Sequence, residues 1–250
     1  MERRNASFLM VGDNPRFAIY FAPDSAGPLW RFGSACLGYD AELGTGCDLL
    51  VPAGWAEPEW RERTHEPRRY GFHATLKAPF HLCEEWRERD LLLAFDAFAA
   101  EQRSFVLEGM RVRALSHFIA LTPVGETGDV VDLAAACVRA FDRFRAPLSE
   151  NDLARRLTAP LTERQKAYLA AWGYPYVMEE FRFHMTLTGP LVEQELDRAH
   201  RALARMYETA VGNGPVAVDS ISLFRQDRRD GRFILIRRAP LRAPRSAAAR

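Results

Sequence analysis

The stretch Tyr70-Gly71-Phe72-His73-Ala74-Thr75-Leu76-Lys77-Ala78-Pro79-Phe80 returns later in the chain as Phe181-Arg182-Phe183-His184-Met185-Thr186-Leu187-Thr188-Gly189-Pro190-Leu191. The two share the frame aromatic-x-Phe-His-x-Thr-Leu-x-x-Pro-apolar. With average residue usage, two His-x-Thr-Leu tetrads by chance are expected in roughly one chain per thousand. Each copy has the period-two alternation of a β-strand, so its side chains divide between two faces. Phe72, Ala74 and Leu76 form one face of the first copy, and His73, Thr75 and Lys77 the other. In the second copy Phe183, Met185 and Leu187 oppose Arg182, His184, Thr186 and Thr188.

Working outward, similar elements surround both copies. Arg16 to Ala22 alternates as a strand, and Pro28 opens a helix to Leu37, with a helical turn over 57–63. The first motif strand, about 69–78, is expected to stop at Pro79. A helix over 90–102 and two strands, 105–114 and 117–123, follow it. A helix over 129–144 and two short helices, 150–157 and 162–172, lead to the second motif strand, 180–188. Another helix, 193–210, and two strands, 216–224 and 232–238, close the pattern. Motif strand, helix, strand pair thus occurs twice, a duplication on the scale of a lobe. The expected class is α+β, with two pseudo-symmetric lobes of antiparallel sheet, flanking helices and a central groove. Lobe one is expected over 15–125 and lobe two over 126–240, with tails at 1–14 and 241–250, the lobes forming one functional domain.

Composition narrows the class further. The chain has 250 residues, 48% hydrophobic and 27% charged, with a formal net charge of +1, which is ordinary for a soluble protein without a global field for nucleic acid or membrane. Residues 225–250 are the exception, with nine arginines against Asp227 and Asp230; a solvated basic hairpin and tail is the favoured reading there over a polyanion site. Only Lys77 and Lys166 are lysines, so the lysine inside the first motif stands out. Cys36, Cys47, Cys83 and Cys137 show no paired spacing, which argues against a zinc knuckle or disulfide framework and fits a reducing cytoplasm. Neither a signal sequence nor a membrane-spanning stretch is read. The expectation is a cytoplasmic monomer with neither metal nor cofactor.

Two histidines in equivalent settings suit acid–base chemistry on a phosphodiester. An unperturbed pKa of about 6.5 lets one act as base while the other acts as acid. Threonine hydroxyls two residues along the same strand face can donate to phosphoryl oxygens as charge builds on them. The candidate residues are therefore His73 and His184 for catalysis and Thr75, Thr186 and Lys77 for the phosphate, with Tyr20 as a groove-lining residue. Trp172, Tyr174 and Tyr176 are candidates for a stacking wall, although packing between the halves is the favoured use.

The paired tetrads in a duplicated α+β chain resemble the two-histidine (2H) phosphoesterase superfamily. The string from Tyr70 to Phe80, with Phe17-Ala18-Ile19-Tyr20-Phe21-Ala22-Pro23 and Pro28-Leu29-Trp30-Arg31-Phe32-Gly33, is similar to the branch associated with phosphonate-metabolism operons. The resemblance covers about 15–240. It implies a catalytic pair at His73 and His184 and phosphate-binding hydroxyls at Thr75 and Thr186. It also implies metal-independent hydrolysis of a small cyclic phosphate, a nucleotide 2′,3′-cyclic or ribose cyclic phosphate. RNA-end processing, with RNA as partner, and a non-catalytic module holding a phosphorylated ligand are the alternatives.

Overall fold

In this computed structural model, residues 14–243 are described. The expected tails, and with them Arg245 and Arg250 of the basic segment, fall largely or wholly outside that range. The strands are β1 (Arg16–Phe21), β2 (Ala74–His81), β3 (Phe105–Leu107), β4 (Gly109–Leu115), β5 (Phe118–Val124), β6 (Met185–Thr186), β7 (Val216–Val218), β8 (Ser220–Gln226) and β9 (Ile234–Pro240). The α-helices are α1 (Pro28–Leu37), α2 (Glu57–Arg63), α3 (His65–Arg68), α4 (Glu88–Glu101), α5 (Gly128–Phe141), α6 (Glu150–Leu157), α7 (Glu163–Trp172) and α8 (Glu193–Ala210). Seven strands form one antiparallel sheet in the order β4-β5-β6-β2-β1-β8-β9, and β3 and β7 pair separately as a ribbon. The class is α+β, with a large antiparallel sheet and flanking helices.

The helices end where local chemistry ends them. Pro28, whose missing N–H costs nothing in a first turn, opens α1, and Gly38 in the left-handed region (φ 64°) closes it. Thr162 and Gln165 form a reciprocal capping box at the start of α7, and Gly173 (φ 70°) closes that helix.

The order of the strands differs from two contiguous lobes. The strands that follow the first motif, β4 and β5, pair with the second motif through β5–β6. The strands that follow the second motif, β8 and β9, join the first motif's side through β8–β1 and β1–β2. Each half of the chain therefore completes the sheet beside the other half's motif, so segments 15–125 and 126–240 interlock and neither forms a separate sheet. The ribbon of β3 and β7, Phe105 facing Val218, brings together the two chains that cross over.

Helices α4, α5 and α8 pack on one face of the sheet, against β8 and β9, β2, and β4 and β5 respectively. Ala74, Leu76, Leu121 and Met185 bury that face at 2% exposure or less. Helix α1 comes so close to the first motif that a Cβ on Gly33 would stand 2.2 Å from the Phe72 ring, which is itself fully buried. The opposite face of β2 and β6 is left to the groove.

Strand β2 departs from simple alternation, and Pro79 does not end it. Its partner β1 keeps a regular register with β8, but against β2 the register shifts twice, Tyr20 facing Thr75, Ile19 facing Lys77 and Phe17 facing Phe80. Each shift adds a residue to β2, as in a β-bulge, where a proline is tolerated and the following side chains change face. Lys77 is thereby turned off the groove face onto the face of Ile19, beneath α5. It is 3% exposed, and its Nζ donates to the Val138 carbonyl (3.2 Å) and to Asp142 Oδ1 (3.4 Å). The expectation that Lys77 faces the groove with His73 and Thr75 is corrected here, because alternation holds only until the bulge.

Two consequences can be measured. Gly33→Ala should cost about 1–3 kcal/mol, because the new methyl meets a buried aromatic ring that cannot withdraw; an unchanged melting temperature would contradict the packing. Burial lowers the Lys77 pKa to about 8, with Asp142 partly opposing the shift. The unfolded chain then binds the extra proton between about pH 8 and 10.5, so stability should rise with pH across that window. The rise, on the order of 1–3 kcal/mol, should vanish in Lys77→Met, as read by denaturant unfolding at each pH.

Candidate active site

Ala74 and Met185 face each other across antiparallel β2 and β6. Continued by one residue each way, that register sets His73 opposite Thr186 and Thr75 opposite His184. The four side chains then occupy one face of two adjacent strands, about 5 Å apart across the pair and about 7 Å apart along each strand. The structure thus brings together His73, Thr75, His184 and Thr186. Tyr20 joins them from β1, its ring stacked on His73 with centroids 3.7 Å apart.

Both histidines are held in the same tautomer. His73 Nδ1 lies 2.8 Å from the Gly71 carbonyl and His184 Nδ1 lies 2.7 Å from the Arg182 carbonyl. A carbonyl oxygen can only accept, so in each ring Nδ1 carries the proton and Nε2 is left for chemistry. Gly71 has a particular reason to be glycine: its φ is +74°, and a Cβ there would come within 2.5 Å of the Ala41 methyl. In His73 the Nε2 lies 3.2 Å from Thr75 Oγ1, close enough to accept from that hydroxyl.

The two histidines differ in environment. Continuing the strand register, Tyr20 on β1 faces Thr75, while the matching position beside Thr186 on β5 is Ala120. One side of the repeat therefore carries a large ring and the other a methyl group. The Tyr20 ring covers His73, and burial lowers the His73 pKa to about 4, the Gly71 carbonyl opposing the shift and the charge of His184 adding to it. His184 lacks such a cover and contacts Phe118 with ring centroids 5.9 Å apart.

The groove opens on one side into a cavity of about 540 Å³ that reaches Tyr20, His73, Thr75 and Thr186. The expected cation, Lys77, does not line it, and the cations there are arginines instead. Arg16 comes from the start of β1, Arg69 from the turn after α3, Arg155 and Arg156 from α6, and Arg229 from the loop between β8 and β9. Tyr70 and Tyr174 also line it, so Tyr174 belongs to the cavity wall, whereas Tyr176 is 43% exposed. Arg229 and Arg155 both bond Asp152 (2.5 and 2.8 Å), which ties α6 to the β8–β9 loop across the cavity rim. The Arg229 hydrogen bond first, then the Arg229 charge, the Ser149 hydroxyl and the charge of Arg155, pull the Asp152 pKa down to about 2 against the opposing effect of burial. The one sequence signal for this wall was the basic character of the segment from Arg225. Nothing in spacing marks Arg16, Arg69 or Arg156 among so many arginines. On the other side, His73 and Thr186 also border a smaller hollow of about 250 Å³, lined by Pro67, Phe118 and Pro190.

Comparison with known proteins places the chain. Residues 75–234 match the family described as "Protein of unknown function (DUF1045)". Two curated relatives are named ribose 1,5-bisphosphate phosphokinase PhnN. The one from Janthinobacterium sp. (strain Marseille) is 39% identical over 228 residues, and the one from Laribacter hongkongensis (strain HLHK9) is 33% identical over 222. The matches take in 90% and 89% of this chain but 50% and 51% of the relatives, so the chain spans about half the length of the curated relatives it matches. Among solved structures, E. coli LigT complexed with 3′-AMP is similar at 16% identity and a TM-score of 0.43, covering 90% of this chain and 97% of that one. The TT0787 protein of Thermus thermophilus is similar at 15% identity and a TM-score of 0.42, covering 91% of this chain and 98% of that one. The family match includes the whole second motif and all of the first from Thr75 onward, and the chain belongs to the DUF1045 family.

Proposed function

We propose that the protein is a phosphoesterase that hydrolyses a small cyclic phosphodiester by paired-histidine acid–base catalysis, His73 acting as base and His184 as acid. The observation that carries this reading is the pairing of β2 with β6. It sets two His–Thr pairs head to tail on one strand face, with both Nδ1 protons already committed to backbone carbonyls. His73, covered by Tyr20 and neutral over the physiological range, has an Nε2 lone pair to take a proton from water. As the water oxygen bonds to phosphorus, the bond from phosphorus to one ring oxygen breaks. That oxygen leaves with the Nε2 proton of the His184 imidazolium, whose Nδ1–H stays on the Arg182 carbonyl. The product is a monoester beside a free hydroxyl, and exchange with solvent returns one proton to His184 and removes one from His73. Thr75 and Thr186 donate to the non-bridging oxygens, where charge accumulates.

The relatives' name points to a ribose carrying two phosphates, and the resemblance read from the motifs points to phosphonate metabolism. Together they favour a phosphorylated ribose cyclic phosphate as the substrate class. The phosphokinase activity in that name is not carried over to this chain, which spans about half of those relatives. The sequence contains no Gly-x-x-x-x-Gly-Lys-Ser/Thr phosphate loop, since neither Lys77 nor Lys166 follows a glycine.

His73→Ala and His184→Ala should each lower kcat for a cyclic phosphate by about 10²- to 10⁴-fold while leaving the melting temperature within a few degrees. Retained turnover in both variants would remove the mechanism, and absence of turnover in the wild type would leave the ligand-holding module as the better reading. The profile of kcat/KM against pH should be a bell. Its acid limb, set by His73 in the free enzyme, should lie well below pH 6.5. His73→Ala should abolish that limb. An acid limb above pH 7 would reverse the roles of the two histidines.

A further inference from the structure

The arginine wall has more positive charge than one cyclic diester requires. A cyclic phosphodiester carries a single negative charge, and the two threonines already offer it donors. Arg155 and Arg229 are bonded to Asp152. The remaining three arginines meet neutral partners. Arg16 Nε donates to Gln226 Oε1 (2.8 Å), Arg69 donates to the Arg229 carbonyl, and Arg156 lies over the Tyr174 ring at 5.1 Å. The Nε atoms of Arg69 and Arg156 are buried without a hydrogen-bond partner. A buried guanidinium N–H left without an acceptor is costly, and an anion in the cavity would complete it.

Tyr20 gives an independent indication. It is 0% exposed, and its hydroxyl has no hydrogen-bond partner. Its ring lies on His73, and it lines the arginine cavity together with Arg16, Tyr70 and Tyr174. A buried, unsatisfied donor between a catalytic histidine and a cationic wall lacks an acceptor that the wall itself does not supply.

Position separates this wall from the His–Thr quartet. Arg16 and Tyr20 lie on the same face of the regular strand β1, four residues or about 13 Å apart. Tyr20 faces Thr75 of the quartet, so Arg16 stands at the far end of the groove from it, with the Tyr20 hydroxyl between. The hollow on the other side of the quartet is mostly apolar and offers no comparable anchor.

We propose that Arg16, Arg69, Arg156 and the Tyr20 hydroxyl form a second anion subsite, which takes a phosphomonoester on the substrate whose cyclic diester lies on His73, Thr75, His184 and Thr186. The substrate class is then a single sugar, or a mononucleoside, carrying both a cyclic phosphodiester and a separate terminal phosphate. This assignment of the two phosphates rests on the function proposed above, whereas anion binding by the arginines does not.

The test compares adenosine 2′,3′-cyclic phosphate with the same compound phosphorylated on its 5′-hydroxyl. The wild type should favour the 5′-phosphorylated form by about 100-fold in kcat/KM, mostly through KM, and Arg16→Met/Arg156→Met should reduce that preference to within threefold. Arg16→Lys/Arg156→Lys should keep an intermediate preference, which separates charge recognition from misfolding. Equal turnover of the two compounds by the wild type would overturn the subsite and leave the proposed function standing. Faster turnover of an oligoribonucleotide ending in a 2′,3′-cyclic phosphate, with the same arginine dependence, would overturn it in favour of RNA. If neither cyclic compound is hydrolysed, calorimetry with inorganic phosphate on His73→Ala/His184→Ala decides. Binding that disappears when Arg16→Met and Arg156→Met are added supports the subsite, and absent binding, or binding that persists, rejects it.

Discussion

The pairing of β2 with β6 at Ala74 and Met185 is the contact on which this molecule depends. It is short, since β6 has two residues, yet it is the seam at which the two motif-bearing parts of the sheet meet. Because directly opposed residues share a face, one register settles two outcomes together. Ala74 and Met185 go to the helix-covered core, and the four polar side chains flanking them go to the groove. A slip by one residue would exchange the faces and put histidines in the core, so burial of the apolar set enforces the polar arrangement.

So short a seam needs support from elsewhere, and the crossed connections provide it. Strand β5 grips β6 from the other side, β1 grips β2, and the β3–β7 ribbon joins the crossing chains. Neither half could close its part of the sheet alone. A site shared between the halves therefore comes with a fold that forms as one unit, and the spacing of the histidines is referred to the whole sheet.

Sequence duplication leaves the impression of an equal pair, and tertiary packing removes that equality. The position filled by Tyr20 on one side is filled by Ala120 on the other, so one histidine lies beneath a ring and the other does not. The cations are unequal as well. Lys77 breaks the symmetry of the motif, as its own position suggests, but it does so beneath α5 as a partner of Asp142. The groove takes its charge from arginines on four separate segments, all on the side of the covered histidine.

Much was determined by the sequence alone. The paired frames around His73 and His184 locate the two motif strands and the polar face of each His–Thr pair, whereas their extents differ from the expected 69–78 and 180–188, being Ala74–His81 and Met185–Thr186. Pro28, the Thr162–Gln165 pair, Gly173 and the apolar periodicity mark most helices, because caps and amphipathic stripes are local in chain position. Three matters were left to the tertiary structure. The β2 bulges appear only where that strand pairs with the regular β1, and the shift between Thr75 and Lys77 decides where Lys77 points. The exchange of strands between halves depends on which edges meet, which alternation cannot encode, since β5 and β8 read alike whichever neighbour they take. The arginine wall joins residues as distant as Arg16 and Arg229, whose only relation is spatial. Alternation within a strand is a property of a few consecutive residues and survives in the sequence; convergence of side chains across a cavity is a property of the packed sheet.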